Sequence, residues 1–267
     1  MNEARAVGLI IVGDEILSGK RQDKHLSKVI EMLSARGLML SWAHFVGDER
    51  PRITALLKQA FDSGELVFCC GGIGATPDDH TRQCAAAALG VELALHPQAR
   101  DLIAERMRDV AAEQGVPFDP DRPDNAHRLN MGVFPVGASL IPNPYNKIAG
   151  FSVGHVHFLP GFPVMAWPMI EWVLDHRYAS MHGATRTVER SVIIYGAMEA
   201  SLTPLMEDIE ARFPGCKVFS LPSVDHPVHG RHIELGVKAV ADPLDAFAAL
   251  RLGLQQFGAP LGPEVVR

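Results

Sequence analysis

Leu66-Val67-Phe68-Cys69-Cys70 runs straight into Gly71-Gly72-Ile73-Gly74-Ala75-Thr76-Pro77-Asp78-Asp79-His80-Thr81, and this junction decides the fold. Five consecutive apolar residues are too few for a core helix and suit a strand covered on both faces. Residues 81–89 are alanine-rich and read as a helix. A strand that ends in glycines and leads into a helix is the repeating step of an open α/β sheet.

The same step occurs twice upstream. Residues 6–12 form an apolar run that ends at Gly13-Asp14-Glu15. Residues 24–36 place Leu26, Val29, Ile30 and Leu33 at helical spacing before Gly37, and residues 38–46 read as a second strand. Asp48 to Pro51 is a helix start, Ile53, Leu56, Leu57, Ala60 and Phe61 continue the period, and Gly64 breaks it. The order β-α-β-α-β up to residue 70 demands a parallel sheet with helices on both faces.

Downstream, residues 97–114 read as a helix and 116–124 as a proline-rich loop. Strands follow at 139–141 and 151–159 on either side of Asn143-Pro144, and a helix at 164–174 closes the domain. Residues 175–185 look like a linker. Beyond it come a strand at 187–195, a helix at 199–213, strands at 216–221 and 231–240, and a helix at 244–257. The expectation is an α/β chain, with a three-layer αβα domain and mostly parallel sheet over residues 1–178. A small α+β domain of β-α-β-β-α order is expected over residues 185–260.

The chain has 267 residues, with 25 Lys and Arg against 31 Asp and Glu. The net charge of −6 argues against a protein that coats nucleic acid or an anionic membrane through bulk charge. No apolar run reaches the roughly 18–20 residues of a membrane span, and the first residues lack the pattern of an export signal. Cys69, Cys70, Cys84 and Cys216 show no C-x-x-C spacing and read as small buried hydrophobes of a reducing compartment. The expected location is cytoplasmic.

Two glycine loops are candidates for phosphate. Residues 13–20 have one residue too many between the glycines for a P-loop, and Arg21 stands where Ser or Thr would hold magnesium. Residues 71–81 fail as a dinucleotide fingerprint because Pro77 occupies the third glycine position. The second loop still has the makings of an anion site. Glycines let backbone approach a ligand, the helix behind offers unpaired N–H groups, and Thr76 and Thr81 can add hydroxyls. Asp78 and Asp79 either cap that helix or orient a metal, a water or a ribose hydroxyl. Acid beside an anion is unfavourable without a cation between them, which makes a divalent ion a candidate to test there.

At this loop the chain resembles a known family. Residues 71–81 are similar to the G-G-x-G-x-T-x-D-D-x-T signature of MoaB/Mog molybdopterin-binding domains, and more closely to the first domain of CinA-type competence/damage-inducible proteins. Gly13-Asp14-Glu15-Ile16-Leu17-Ser18-Gly19, Ile141-Pro142-Asn143-Pro144 followed by Ala149-Gly150-Phe151, and Leu159-Pro160-Gly161-Phe162-Pro163 resemble further family blocks in the right order. The tail resembles the second domain of CinA, and no segment resembling its deamidase module follows.

The resemblance implies a pocket for a phosphorylated ligand, molybdopterin or a nucleotide. The expected ligand-binding residues are Gly13, Gly71, Gly72, Gly74, Thr76, Thr81, Pro160, Gly161 and Pro163. Asp79 with Asp78 would be catalytic, and Asp14, Glu15 and Asp79 would hold Mg, Mn or Co. It further implies metal-assisted cleavage of a nucleotide pyrophosphate of the ADP-ribose or FAD type. The alternatives are non-catalytic binding and molybdopterin adenylylation. A small-molecule phosphate, a homo-oligomer (dimer or trimer), and neither nucleic acid nor membrane are the expected partners. The chain departs from the pattern at His25 (an asparagine position), at Val164-Met165 (commonly Ser-Glu) and at Asn125-Ala126-His127-Arg128.

His155 and His157 alternate within a predicted strand and should face one side, a spacing that a metal could use. His226, His229 and His232 lie in a proline- and glycine-marked turn, a poor frame for zinc. Pro163, Trp167 and Trp172 read as helix start and core packing. The tail has no G-x-x-G clamp and no basic-aromatic interleaving, so packing or dimerisation is its expected role.

Overall fold

Every residue of the first strand, β1 (Val7–Val12), is buried, and its side chains divide by parity. Val7, Leu9 and Ile11 enter one apolar cluster, Ile10 and Val12 another. Alternate side chains of a strand covered on both faces must separate in this way. The structure is a computed structural model that describes residues 5–120, 122–184 and 187–267. It contains two units, Met1–Ala184 and Thr185–Arg267.

In the first unit β1 is followed by a single helical turn, α1 (Asp14–Leu17), then by α2 (His25–Ala35), β2 (Trp42–Val46), α3 (Arg50–Ser63) and β3 (Leu66–Cys70). After the glycine loop come α4 (Thr81–Leu89), β4 (Leu93–Leu95), α5 (Pro97–Glu113), α6 (Pro123–Leu129) and β5 (Val133–Pro135). The unit closes with β6 (Ser139–Ile141), β7 (Gly150–Val153), β8 (Val156–Leu159) and α7 (Pro163–Arg177). Pro51, Pro97, Pro123 and Pro163 sit in the first turns of their helices, where a missing N–H costs nothing.

The main sheet has the order β2-β1-β3-β8-β7-β6. β2, β1, β3 and β8 are parallel, and β7 runs antiparallel to both of its neighbours, β8 and β6. Val29, Met32 and Leu33 of α2 pack on one face with Ile170, Val173 and Leu174 of α7. Ile53 and Leu57 of α3 pack on the other with Cys84 and Ala85 of α4. This is the expected three-layer αβα architecture. Because β1, β3 and β8 run the same way, Gly13, Gly71 and Pro160 arrive together at their carboxyl ends, where ligands bind in such sheets.

Several boundaries differ from the sequence reading. The strand expected over residues 38–46 begins at Trp42. The single strand expected over 151–159 is a hairpin, β7 and β8, turning at Gly154-His155. Within the loop expected over 116–124, Pro123 already opens α6, while Asp121 lies outside the described residues. β4 and β5 form a separate antiparallel pair that had no signal of its own at three residues each. Most of the expected linker is not one. α7 continues to Arg177, and a 3-10 turn follows at Ala179–Met181. Tyr178 and Met181 bury against the first core, which holds this segment down. Thr185 lies outside the described residues.

The second unit contains β9 (Val188–Ile194), α8 (Glu199–Arg212), β10 (Lys217–His226), β11 (Gly230–Ala239), α9 (Leu244–Phe257) and β12 (Leu261–Val266). Its antiparallel sheet has the order β10-β11-β9-β12. Val192, Ile194, Leu235 and Val237 from the sheet meet Leu202, Ile209, Leu250 and Leu254 from the two helices. This is the expected α+β character with one strand more: β12, beyond residue 260, pairs with β9. Gly262 and Pro263 disguise β12 as a turn. Pro222 hides the second half of β10, and proline is tolerated there because β10 is an edge strand.

Candidate anion-binding site

Gly71 has φ 111° and Gly72 φ 68°, in the region that L side chains avoid. A Cβ on Gly71 would strike the Val12 carbonyl, and one on Gly72 the Thr81 hydroxyl. The loop therefore crosses the end of β1 with backbone alone. Gly71 donates its N–H to Leu159 O at 3.0 Å, and Thr81 donates its N–H to Gly72 O at 3.0 Å, fixing both ends.

Arg82 sets the middle. Only 4% exposed, its guanidinium donates from Nη1 to Ile73 O (2.5 Å) and from Nη2 to Gly74 O (2.6 Å). Burial lowers its pKa from the usual value, and a guanidinium stays charged in proteins. In a trans peptide the carbonyl and the next N–H lie on opposite edges. With both carbonyls drawn to Arg82, the N–H groups of Gly74 and Ala75 turn away from it. Among the described residues the amides of Gly72, Ile73, Gly74 and Ala75 have no protein partner. Successive free amides beside a buried cation form an anion-binding concavity.

A cavity of about 390 Å³ opens in front of this loop. Its wall brings together Gly13, Glu15, Gly71, Gly72, Gly74, Thr76, Asp78, Asp79, Pro160 and Gly161 from the expected set. Three expected residues stand elsewhere. Thr81 is fully buried and its hydroxyl donates to Gly71 O (3.0 Å), so it braces the loop and offers nothing to a ligand. Pro163 lines a second cavity of about 340 Å³. Asp14 faces an adjoining opening with Glu15, Asp48 and Asp78. Thr76 spends its N–H (2.8 Å) and hydroxyl (2.5 Å) on the Asp79 carboxylate, so Asp79 ties the turn and does not cap α4.

Arg21, Asp48, Asn143, Asn146 and Met165 also line the larger cavity and were not expected there. Asn143 is nearly buried and organises its loop. Its Nδ2 donates to Asn146 Oδ1 (2.8 Å) and Ile148 O (2.9 Å), while its Oδ1 accepts the Tyr145 N–H (3.0 Å). The I-P-N-P motif was the available signal for it. Met165, at a departure from the family pattern, accepts an Asn146 N–H at Sδ (3.3 Å) and presents apolar surface to the cavity. Arg82 carried no motif, and Asp48 was read only as part of a helix start.

Asp48 and Asp14 interlock: each backbone N–H donates to the other's carboxylate, at 3.2 and 3.0 Å. Burial raises the Asp48 pKa above the usual carboxylate value, and Asp14, Glu15 and Asp78 push it further the same way. The acids expected to hold a metal thus fall into two groups, with Asp79 apart from Asp14. Among the described residues no group of three or more His, Cys, Asp or Glu stands at metal-holding spacing.

His155 and His157 face one side, as the sequence reading expects, although only His157 lies in a strand. His155 sits in the β7–β8 turn and His157 in β8, yet both reach the Tyr178 hydroxyl at 2.9 Å. The second-unit histidines cluster with ring centroids 5.1–5.5 Å apart. Their Nδ1 atoms are engaged: His226 accepts the Val228 and His229 N–H, His229 meets Tyr195, and His232 meets Gly230 O.

A family model described as "Probable molybdopterin binding domain" matches residues 8–179, and the chain belongs to that family. The resemblance drawn from four ordered motifs is borne out. Within the family the chain is CinA-like. It is 32% identical over 209 residues to the CinA-like protein of Anaeromyxobacter dehalogenans (strain 2CP-C), covering 76% of this chain and 49% of that protein. The CinA-like protein of Geobacter metallireducens is 27% identical over 251 residues, covering 91% and 56%. The chain spans about half the length of the curated relatives it matches. A crystal structure of CinA, of unknown function, from Thermoplasma acidophilum superposes with TM-score 0.54 at 24% identity over 64% of this chain and 98% of that one, a likeness of fold. Among the described residues no helix is long and apolar enough to cross a membrane.

Proposed function

We propose that the first unit binds the phosphate of a pterin or nucleotide in the loop formed by residues 71–79. The observation that carries this reading is the run of amides from Gly72 to Ala75, unpartnered among the described residues, with those of Gly74 and Ala75 turned away from Arg82. Met131, Ile148, Phe162 and Met165 supply an apolar wall for a ring in the same cavity. Family membership supports molybdopterin as one such ligand. Thermal unfolding with inorganic pyrophosphate, AMP or molybdopterin tests it. A saturating ligand of the folded state at about 100 times its Kd adds about 2.7 kcal/mol of stability. A melting temperature unmoved by all three contradicts it.

The acids support a second reading, cleavage of a pyrophosphate bond in ADP-ribose or FAD. Glu15, Asp48 and Asp78 are hard oxygen donors at the mouth of an anion cavity. Magnesium-type ions use one or two protein carboxylates and take further oxygens from phosphates, so one or two of these acids together with a bound phosphate would suffice for Mg or Mn without a protein cage. Such an ion would supply charge neutralisation at the phosphate. The chain's own part is to hold the phosphate on its amides and to place Asp78 and Asp79 beside it.

Incubation of ADP-ribose or FAD with the protein at high concentration and Mg, Mn or Co should hydrolyse the P–O–P bond by addition of water, giving AMP with ribose 5-phosphate or with FMN. Asp79→Asn should abolish that hydrolysis and leave phosphate affinity intact. Tight binding with intact substrates would leave a non-catalytic binding protein. Pyrophosphate release only with ATP and pterin together would mark an adenylyltransferase. Self-association as a dimer or trimer is part of the proposal and is read by sedimentation.

A further inference from the structure

His25 opens α2 beside the second cavity, which shares Val12, Glu15, Arg21, Gly161 and Phe162 with the first. The side chain is 4% exposed. Its Nε2 lies 3.0 Å from the Gly161 carbonyl oxygen, which can only accept, so Nε2 carries the proton. In the neutral ring Nδ1 is then a bare acceptor, and it is buried without a partner. A protonated ring would bury a charge and leave the Nδ1 N–H equally unbonded. Among the described residues five buried side-chain atoms lack a partner, and of those five residues only His25 lines either cavity.

The start of α2 does not explain that atom. Asp23 already accepts the N–H groups of His25 (2.8 Å) and Leu26 (3.0 Å), closing the helix end to an anion. Asp23 stands in the same cavity wall. The cavity is lined by the Asp23 carboxylate and by His25, whose buried Nδ1 lacks a donor, and such a lining selects a group that donates. An unsatisfied buried acceptor weakens the fold and becomes useful when something outside the chain completes it.

We infer that His25 is a specificity-determining residue. Its Nδ1 accepts an N–H or O–H from the uncharged part of the ligand whose phosphate lies in the Gly71–Asp79 loop. The ligand class is a phosphate joined to a hydroxyl- or amino-bearing body, a sugar or an amino-substituted heterocycle. This rests on the phosphate-binding reading above.

Two variants separate the two nitrogens. His25→Gln keeps a donor that can reach Gly161 and has nothing in place of Nδ1. His25→Asn puts an amide oxygen near the Nδ1 position and gives up the Gly161 bond. Calorimetry compares inorganic phosphate, ribose 5-phosphate and AMP as probes. In the native protein at least one organic phosphate binds tighter than inorganic phosphate. In His25→Gln that preference falls about three- to tenfold, the worth of one hydrogen bond, with inorganic phosphate affinity kept within about twofold. His25→Asn keeps the preference. A change for ribose 5-phosphate and AMP alike assigns a sugar hydroxyl, and a change for AMP alone assigns the heterocycle. The inference is overturned if His25→Gln keeps the native preference for both probes, or if all three probes weaken together. Failure of the native protein to bind inorganic phosphate is a different result: it removes the phosphate reading and this inference with it.

Discussion

Around β8, polar groups are handled in two opposite ways. On the side of the β7–β8 turn, Ser152 Oγ lies 2.7 Å from His157 Nδ1, and the Tyr178 hydroxyl lies 2.9 Å from both His157 Nε2 and His155 Nδ1. Ser152 and His157 are buried, and the chain satisfies them from within. At the carboxyl end, past Leu159, Gly161 approaches Gly71, and the amides from Gly72 to Ala75 have no partner among the described residues. One end is closed for stability. The other leaves a row of amide donors unpaired among the described residues, and Arg82 holds the Ile73 and Gly74 carbonyls on the far side of the loop.

The comparison makes the two ends separable by mutation. Arg82→Ala should have the largest effect. It leaves two loop carbonyls unbonded at about 1–3 kcal/mol each, so urea unfolding should show a loss of about 3 kcal/mol and calorimetry no measurable phosphate binding. Tyr178→Phe strips the shared hydroxyl from the two histidines at the opposite end. Stability should fall by about 2 kcal/mol while phosphate affinity stays within about twofold. If Tyr178→Phe weakens phosphate binding as Arg82→Ala does, the two ends are not independent.

A pH effect follows, of smaller slope. Burial, with Arg177 and His155 nearby, lowers the His157 pKa from 6.5 to about 3. Between those values the unfolded chain binds the proton and the folded protein does not. Stability should therefore be full above about pH 6.5 and fall as the pH drops toward 3, by at most about 1.4 kcal/mol per pH unit from this group. In His157→Gln the slope of unfolding free energy against pH, measured in urea, should be shallower over that range. The smallest effect belongs to the site end. Asp48→Asn keeps an acceptor for Asp14 and removes one of the crowded charges. Stability should change by less than about 1 kcal/mol, and pyrophosphate should bind about twofold tighter at low salt with the gain lost at high salt.

The sequence makes the first unit legible because its signals are local. The apolar runs ending at Gly13 and Gly71 specify strands buried on both faces, and Pro51, Pro97 and Pro163 mark helix starts. What stayed hidden depends on tertiary contacts. β4 and β5 have three residues each and exist through their pairing. β12 contains Gly262 and Pro263 and is a strand because β9 offers it an edge. At the site, the glycines announced where bare backbone borders the cavity. Thr81 and Arg82 show the limit of that reading. A threonine after a glycine loop looks like a ligand donor and an arginine beyond it like surface. In the fold Thr81 braces Gly71, and Arg82 is buried as the part that aims the amides.

An amide-resolved NMR titration with inorganic pyrophosphate tests the phosphate loop most directly. The N–H signals of Gly72, Ile73, Gly74 and Ala75 should move saturably and together, and those of Ser152 and His157 should stay in place. Saturable shifts centred elsewhere, with the four loop amides unmoved, would contradict it.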